Sequence, residues 1–273
     1  MENEEEYYNI QLELTDQLWQ FYEKSPQIEV IETKQNKNKE LILLLLLALL
    51  KGEKTVKEIN KTIEDMFKSE KVLEQEYLEN ILKNVCSDSY DINNFIMKLG
   101  EKNYSSSKLK ESDISKIINE MIDKKTNKNR ISDNKNEIIK KLIDNIGLFA
   151  TGILTESMVN QIVEDIFLTN ADYTKRMFEN EIHRCTDRAY DKWFKDNNIN
   201  RVMYVSRLET NTCFDCRENH GKVFKIDDKN IIELPKHVRC KCFYATIPNN
   251  NWKNDFGTVN FNNFKKWSDK NNG

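Results

Sequence analysis

The chain has 273 residues, 38% hydrophobic and 32% charged, with a net charge of −3. Seven glycines and three prolines are too few for a loop-rich or all-β protein. A charge so close to zero excludes a binder that holds nucleic acid by bulk positive field, and the length suits one large domain or two small ones.

Met1 is followed by the acidic run ENEEEYY instead of a basic flank and apolar core, so no secretory signal is expected. The expected compartment is a reducing cytosol, where clustered cysteines read as metal ligands before disulfides.

The first 200 residues read as successive amphipathic helices. Glu4 to Glu23 carries Tyr8, Leu12, Leu14, Leu18 and Tyr22 at helical spacing. The run LILLLLLALL (Leu41 to Leu50) rises about 15 Å as a helix, half of a bilayer core of about 30 Å. Flanked by TKQNKNKE and KGEK, it reads as a buried central helix closed by Gly52, with an interfacial anchor as the alternative and no membrane span.

Thr55 and Glu58 form a capping box for a helix from Val56 to Phe67. A further helix carries Val72, Tyr77, Ile81, Leu82 and Val85, and a short one runs from Asp91 to Gly100. Two polar stretches, Glu101 to Asp113 and Asp123 to Glu137, read as loops or a hinge over 101–137. Helices resume at Ile138 to Phe149 and at Glu156 to Phe167, the latter capped by Thr155, and no internal repeat is apparent.

A last long helix, Asp172 to Asp196, has an apolar stripe of Phe178, Ile182, Cys185, Ala189 and Trp193. Glu181, Arg184, Arg188 and Asp191 lie away from it, as does His183, which reads as solvated or hydrogen-bonded. Cys185 and Cys86 read as small buried hydrophobes.

After Asn200 the period changes to two, in RVMYVSRL, KVFKI and CFYATI. The expected fold class is α+β and mainly α-helical: a multi-helix body (1–198), a small β-rich module stabilised by metal (199–248), and an Asn/Lys-rich tail (249–273). The tail has no regular period, and an ordered arm and a disordered end remain open. From Arg201 onward there are 13 Lys/Arg against 8 Asp/Glu, so a mildly basic end follows an acidic body.

Cys213 and Cys216 form a C-x2-C pair, and His237, Cys240 and Cys242 form H-x2-C-x-C. Two short ligand groups joined by a loop suit one tetrahedral zinc, with Cys213, Cys216, His237 and either Cys240 or Cys242 as ligands. Reduced buried cysteines, or two disulfides, are the alternatives. His220, before Gly221, reads as a turn residue. The thiolate supply favours a closed structural site over an open catalytic one. No catalytic residue and no cofactor-binding motif stands out, and no histidine follows Cys242 to complete a nuclease of the His-Asn-His kind.

At these residues the chain resembles the phage Mu F-like minor head protein family, also called the phage head morphogenesis family. The match runs through FENEIHRCTDRAYDKWFKDNNINRVMYVSRLETNTCFDCRENHGKVF and LPKHVRCKCFYATIP, with Thr212, Cys213, Cys216, Gly221, Lys222, Phe224, Pro235, His237, Cys240 and Cys242 in the family's order and spacing. Glu209, Val238 and Lys241 replace the family's aspartate, second proline and arginine, and 178–181 lacks its arginine, while every metal-ligand position is kept.

The resemblance implies a non-enzymatic minor capsid protein of a phage or prophage, made in the host cytoplasm and housed in the virion head. It would bind the portal protein, and scaffold or major capsid protein as further partners, and assist head assembly and DNA packaging or ejection. Its contact with DNA would be weak and non-specific. The competing readings are a nucleic-acid-binding zinc knuckle and a metal-dependent nuclease or hydrolase.

Overall fold

A computed structural model describes residues 2–101, 103–210, 212–249, 251–255 and 257–272. Among them are eight helices and three strands: α1 (Glu2–Glu23), α2 (Pro26–Leu50), α3 (Val56–Gly100), α4 (Glu111–Ile118), α5 (Asn127–Ala150), α6 (Glu156–Asp196), β1 (Arg201–Ser206), α7 (Phe214–Asn219), β2 (Val223–Lys225), β3 (Cys242–Thr246) and α8 (Phe261–Asn272). The chain is thus mainly helical, with a small antiparallel sheet of order β2-β1-β3. No helix among the described residues is long and apolar enough to cross a membrane.

All three strands follow residue 198, together with α7 and α8, but the two compact units are drawn from separate stretches of chain. One comprises Lys24–Asn80 and Asn119–Phe178, the hairpin unit; the other comprises Met1–Glu23, Ile81–Ile118 and Glu179–Gly273, the sheet unit. α3 and α6 contribute residues to both.

The hairpin unit is a duplication that the sequence reading missed. α2 and α3 form one helical hairpin, α5 and α6 a second, and equivalent residues lie 100 apart. Both turns use a glycine at positive φ (Gly52, 72°; Gly152, 77°), a conformation that costs glycine nothing. Gly52 N–H donates to the Leu49 carbonyl and Gly152 N–H to that of Phe149, both at 3.0 Å. Thr55 Oγ1 accepts from Glu58 N–H and Thr155 Oγ1 from Met158 N–H, both at 3.3 Å, so each returning helix is capped alike.

The buried positions also repeat: Ile42 with Leu142, Leu46 with Ile146, Ile59 with Val159, Ile63 with Val163 and Phe67 with Phe167. Below this apolar cluster lies a buried polar layer. Lys135 Nζ donates to Glu70 (2.7 Å), Glu74 (2.6 Å) and Asn170 (3.0 Å). Gln35 donates to Glu74 (3.0 Å) and Thr174 (3.2 Å), and Asn38 donates to Glu70. Burial and the neighbouring Glu70 carboxylate, partly offset by Lys135, push Glu74 up to about 7.

In the sheet unit α1 buries Tyr7, Leu14, Leu18 and Trp19, with Thr15 bonded to Tyr190 (2.7 Å) and Trp19 to Thr186 (3.1 Å). The described residues of the tail pack back as an arm. Trp252 is 1% exposed and donates its indole N–H to the Ile96 carbonyl, and α8 sets Phe264 and Trp267 against Phe95. Trp252 lies so close to Gly100 that a Cβ there would come within 2.2 Å of the ring, which is why α3 ends in glycine.

Other readings of the sequence also change. Residues 56–100 form one helix instead of three, since the polar residues between the apolar groups, Glu70 and Glu74, are buried partners and not breaks. The polar stretch after Asp123 becomes helical at Asn127, because Thr126 and Asn129 make a reciprocal capping box. The leucine run is not enclosed. Ile42, Leu45 and Leu46 are buried, but Leu44 is 62% and Leu50 54% exposed. Glu181 and Arg184 are buried as an ion pair of 2.8 Å, and Arg184 also donates to the Ile117 carbonyl.

Candidate metal centre

The Cys/His residues are delivered by three short pieces of backbone: α7, the loop before β3, and the start of β3. Cys213 sits at the start of α7 and Cys216 one turn inside it, so the helical turn brings both thiols to one side. His237 and Cys240 belong to the loop before β3, where Arg239 takes a left-handed φ of 59° and Cys240 N–H closes a turn on the His237 carbonyl (3.1 Å). Cys242 opens β3, opposite Ser206 on β1.

The donors converge. Cys213, Cys216 and His237 form one group with ligand atoms within 4.8 Å of one another; Cys216, Cys240 and Cys242 form another. Cys216 is common to both, so all five candidates surround it. His237 Nε2 lies 3.3 Å from Cys213 Sγ and 3.4 Å from Cys216 Sγ. Ligands about 2.0–2.3 Å from a tetrahedral ion stand roughly 3.5 Å apart, so the spacing fits a shared zinc-type ion. Cys213 is exposed, whereas Cys216, Cys240 and Cys242 are buried.

Local electrostatics separate the C-x-C pair. A hydrogen bond from Cys242 is the main reason Cys240 is held down to about 5, while the same bond, with burial, pushes Cys242 well above its ordinary range. Tyr204 reaches from β1 to donate to Cys216 Sγ at 3.5 Å, and its phenol is raised chiefly by burial. His237 is raised, first by its bond to the Val238 carbonyl.

The support around the donors includes a residue that sequence reasoning set aside. His183 on α6 is 3% exposed; its Nδ1–H donates to the Cys240 carbonyl (2.8 Å) and its Nε2 faces the Glu23 carboxylate (2.9 Å). It therefore holds the ligand loop by its backbone and offers no nitrogen to the metal. Asn180 accepts from Arg239 N–H (2.9 Å), Glu179 from Arg239 Nε (3.0 Å), and Arg188 donates to Glu233 (2.7 Å). The start of the 179–196 segment is thus a rail to which the loop is pinned. The pattern Glu179, Asn180, His183 along one helix was the available signal, but nothing in the sequence says that its partner is a loop fifty residues on.

His220 stands apart from the donor groups and accepts from Ser206 N–H through Nδ1 (3.1 Å), which fits its reading as a turn residue. Cys86 and Cys185 are buried in the helices.

No curated protein and no solved structure matches the chain. Residues 136–245 match the family model described as Phage Mu protein F like protein. That span holds most of α5, all of α6 and the sheet to within one residue of its end, with every candidate donor. Over residues 136–245 the chain is therefore similar to the Mu F-like family.

Proposed function

We propose that the protein is a minor head protein of a bacteriophage or prophage. It docks on the portal and assists head assembly and DNA packaging or ejection, through shape and contact without chemical catalysis. The observation that carries this reading is the Mu F-like match, which spans the segment where the five Cys/His donors gather. In this reading Cys213, Cys216, His237 and one of Cys240 or Cys242 hold a structural zinc. Three thiolates and one imidazole would close a tetrahedral shell and leave the complex near −1, a poor Lewis acid. The remaining thiol of the C-x-C pair would stay protonated against the bound one. The metal's part is to tie α7 to the loop before β3.

The docking claim is tested by co-expressing the chain with the portal protein of the same phage and purifying either partner through a tag. Co-purification that survives moderate salt and nuclease treatment is expected. Failure to associate overturns the docking claim; tight, salt-resistant retention of DNA would favour a nucleic-acid-binding knuckle in its place.

A further inference from the structure

The duplication supplies an internal control for the exposed leucines of α2. The two hairpins share their turns, caps and buried positions, so the fold makes the same demands at equivalent sites. At solvent-facing sites they diverge. Leu41, Leu44, Leu47 and Leu50 are 40%, 62%, 41% and 54% exposed. Their counterparts on α5 are Lys141, Asp144, Gly147 and Ala150. The second hairpin therefore shows that this face folds with polar or small residues. Packing does not require leucine there, and exposed apolar area of this kind marks a contact surface.

The arrangement on α2 identifies the contact. Lys37, Glu40, Leu44, Leu47 and Lys51 are all exposed and follow a three-four-three-four spacing, the seam of a two-helix coiled coil. Consider two copies of α2 laid antiparallel about a twofold axis passing between Leu44 and Leu47. Leu44 then meets Leu47 of the second copy and Glu40 meets Lys51 at both ends, while Leu41 and Leu50 flank the seam on its two opposite sides. Apolar residues fall against apolar ones and opposite charges against each other, as an isologous contact requires. Beyond Lys51 the chain leaves the helix at Gly52, which ends the seam.

We propose that α2 is a homodimerisation surface, in which two copies of this chain pair antiparallel through Leu44 and Leu47, flanked by Leu41 and Leu50, with Glu40–Lys51 bridges at each end. The stripe is shorter than a standard interface of about 800 Å² per partner, so the dimer is weak, with a Kd on the order of 100 µM. Such an association is populated where copies are gathered locally. The inference is independent of the portal reading and of the metal.

Sedimentation of the full chain over a concentration series around that Kd tests it. The expected result is a monomer–dimer equilibrium for the wild type, and a monomer at every concentration for Leu44→Asp with unchanged helical circular dichroism. The second hairpin already carries Asp144 at the equivalent site, so this variant should fold. Glu40→Lys and Lys51→Glu should each weaken dimerisation roughly tenfold, and the double variant should restore it. A wild type that stays monomeric overturns the proposal. So does a Leu44→Asp variant that dimerises as well as wild type, or a charge-swapped double variant that fails to recover. Binding of the wild-type monomer to phosphatidylglycerol vesicles, lost in Leu44→Asp, would reassign the stripe to a lipid surface and overturn it too.

Discussion

In the hairpin unit, Ile42, Ile63, Leu142 and Phe167 are sealed within helices whose caps and turns are made twice over. Between Arg207 and Lys241, by contrast, the buried side chains among the described residues are Cys216, Leu234 and Cys240. The first region holds itself together by removing apolar area from water, at about 25 cal/mol per Å². The second has almost no such area and depends on donor atoms and on hydrogen bonds to the α6 rail. A stretch with so small a core is one that an external staple would stabilise, and in the proposed reading this difference makes the metal a matter of folding instead of chemistry.

The strongest way to break the comparison is to remove the ligands. Structural zinc contributes about 10–16 kcal/mol in small domains, so Cys216→Ser, or a strong chelator, should abolish slow amide exchange across 207–241. Exchange in 24–80 and 119–178 should be unchanged. Equal loss in both regions, or no zinc in elemental analysis of untreated protein, would refute the distinction.

Lys135→Ala attacks the other side. It leaves Glu70 and Glu74 buried without their cation, and denaturant unfolding should show a loss of about 3–5 kcal/mol with zinc content intact. Glu74→Gln sharpens the same point through pH. The folded value near 7 lies above the ordinary 4.5, so this group favours folding most below pH 4.5. That advantage declines as pH rises from 4.5 to 7, where the unfolded chain ionises more readily than the folded one. The substitution should flatten the slope over that window and stabilise the protein at pH 8 by at most about 3 kcal/mol.

The smallest effect is expected from His183→Ala. Removing the bond to the Cys240 carbonyl should cost about 1–2 kcal/mol and speed metal release to a chelator, while stoichiometry stays the same. A change in stoichiometry would mean that His183 is a ligand and not a support.

Much of this was legible in the chain. The stripe from Phe178 to Trp193, the capping residues Thr55 and Thr155, the three strands and the gathering of Cys213, Cys216, His237, Cys240 and Cys242 all follow from local spacing. What escaped depends on partners far away in sequence. Glu70 and Glu74 read as interruptions because Lys135 is sixty residues distant. Trp252 in a tail without period is ordered by its fit over Gly100. The duplication hides because it survives in turn, cap and core positions while the surface has diverged, and ten consecutive apolar residues conceal the helical period of α2.

The buried polar layer has one more consequence. Both buried carboxylates, Glu70 and Glu74, belong to the first hairpin, and the lysine that answers them belongs to the second. At the equivalent sites stand Asn170 and Thr174 in one direction and Gln35 in the other. Two first hairpins paired with each other would enclose four acids with no base, and two second hairpins would enclose two bases with no acid. Only the unlike pair sets a base against the acids, so two halves of the same architecture are made to recognise each other and to reject themselves.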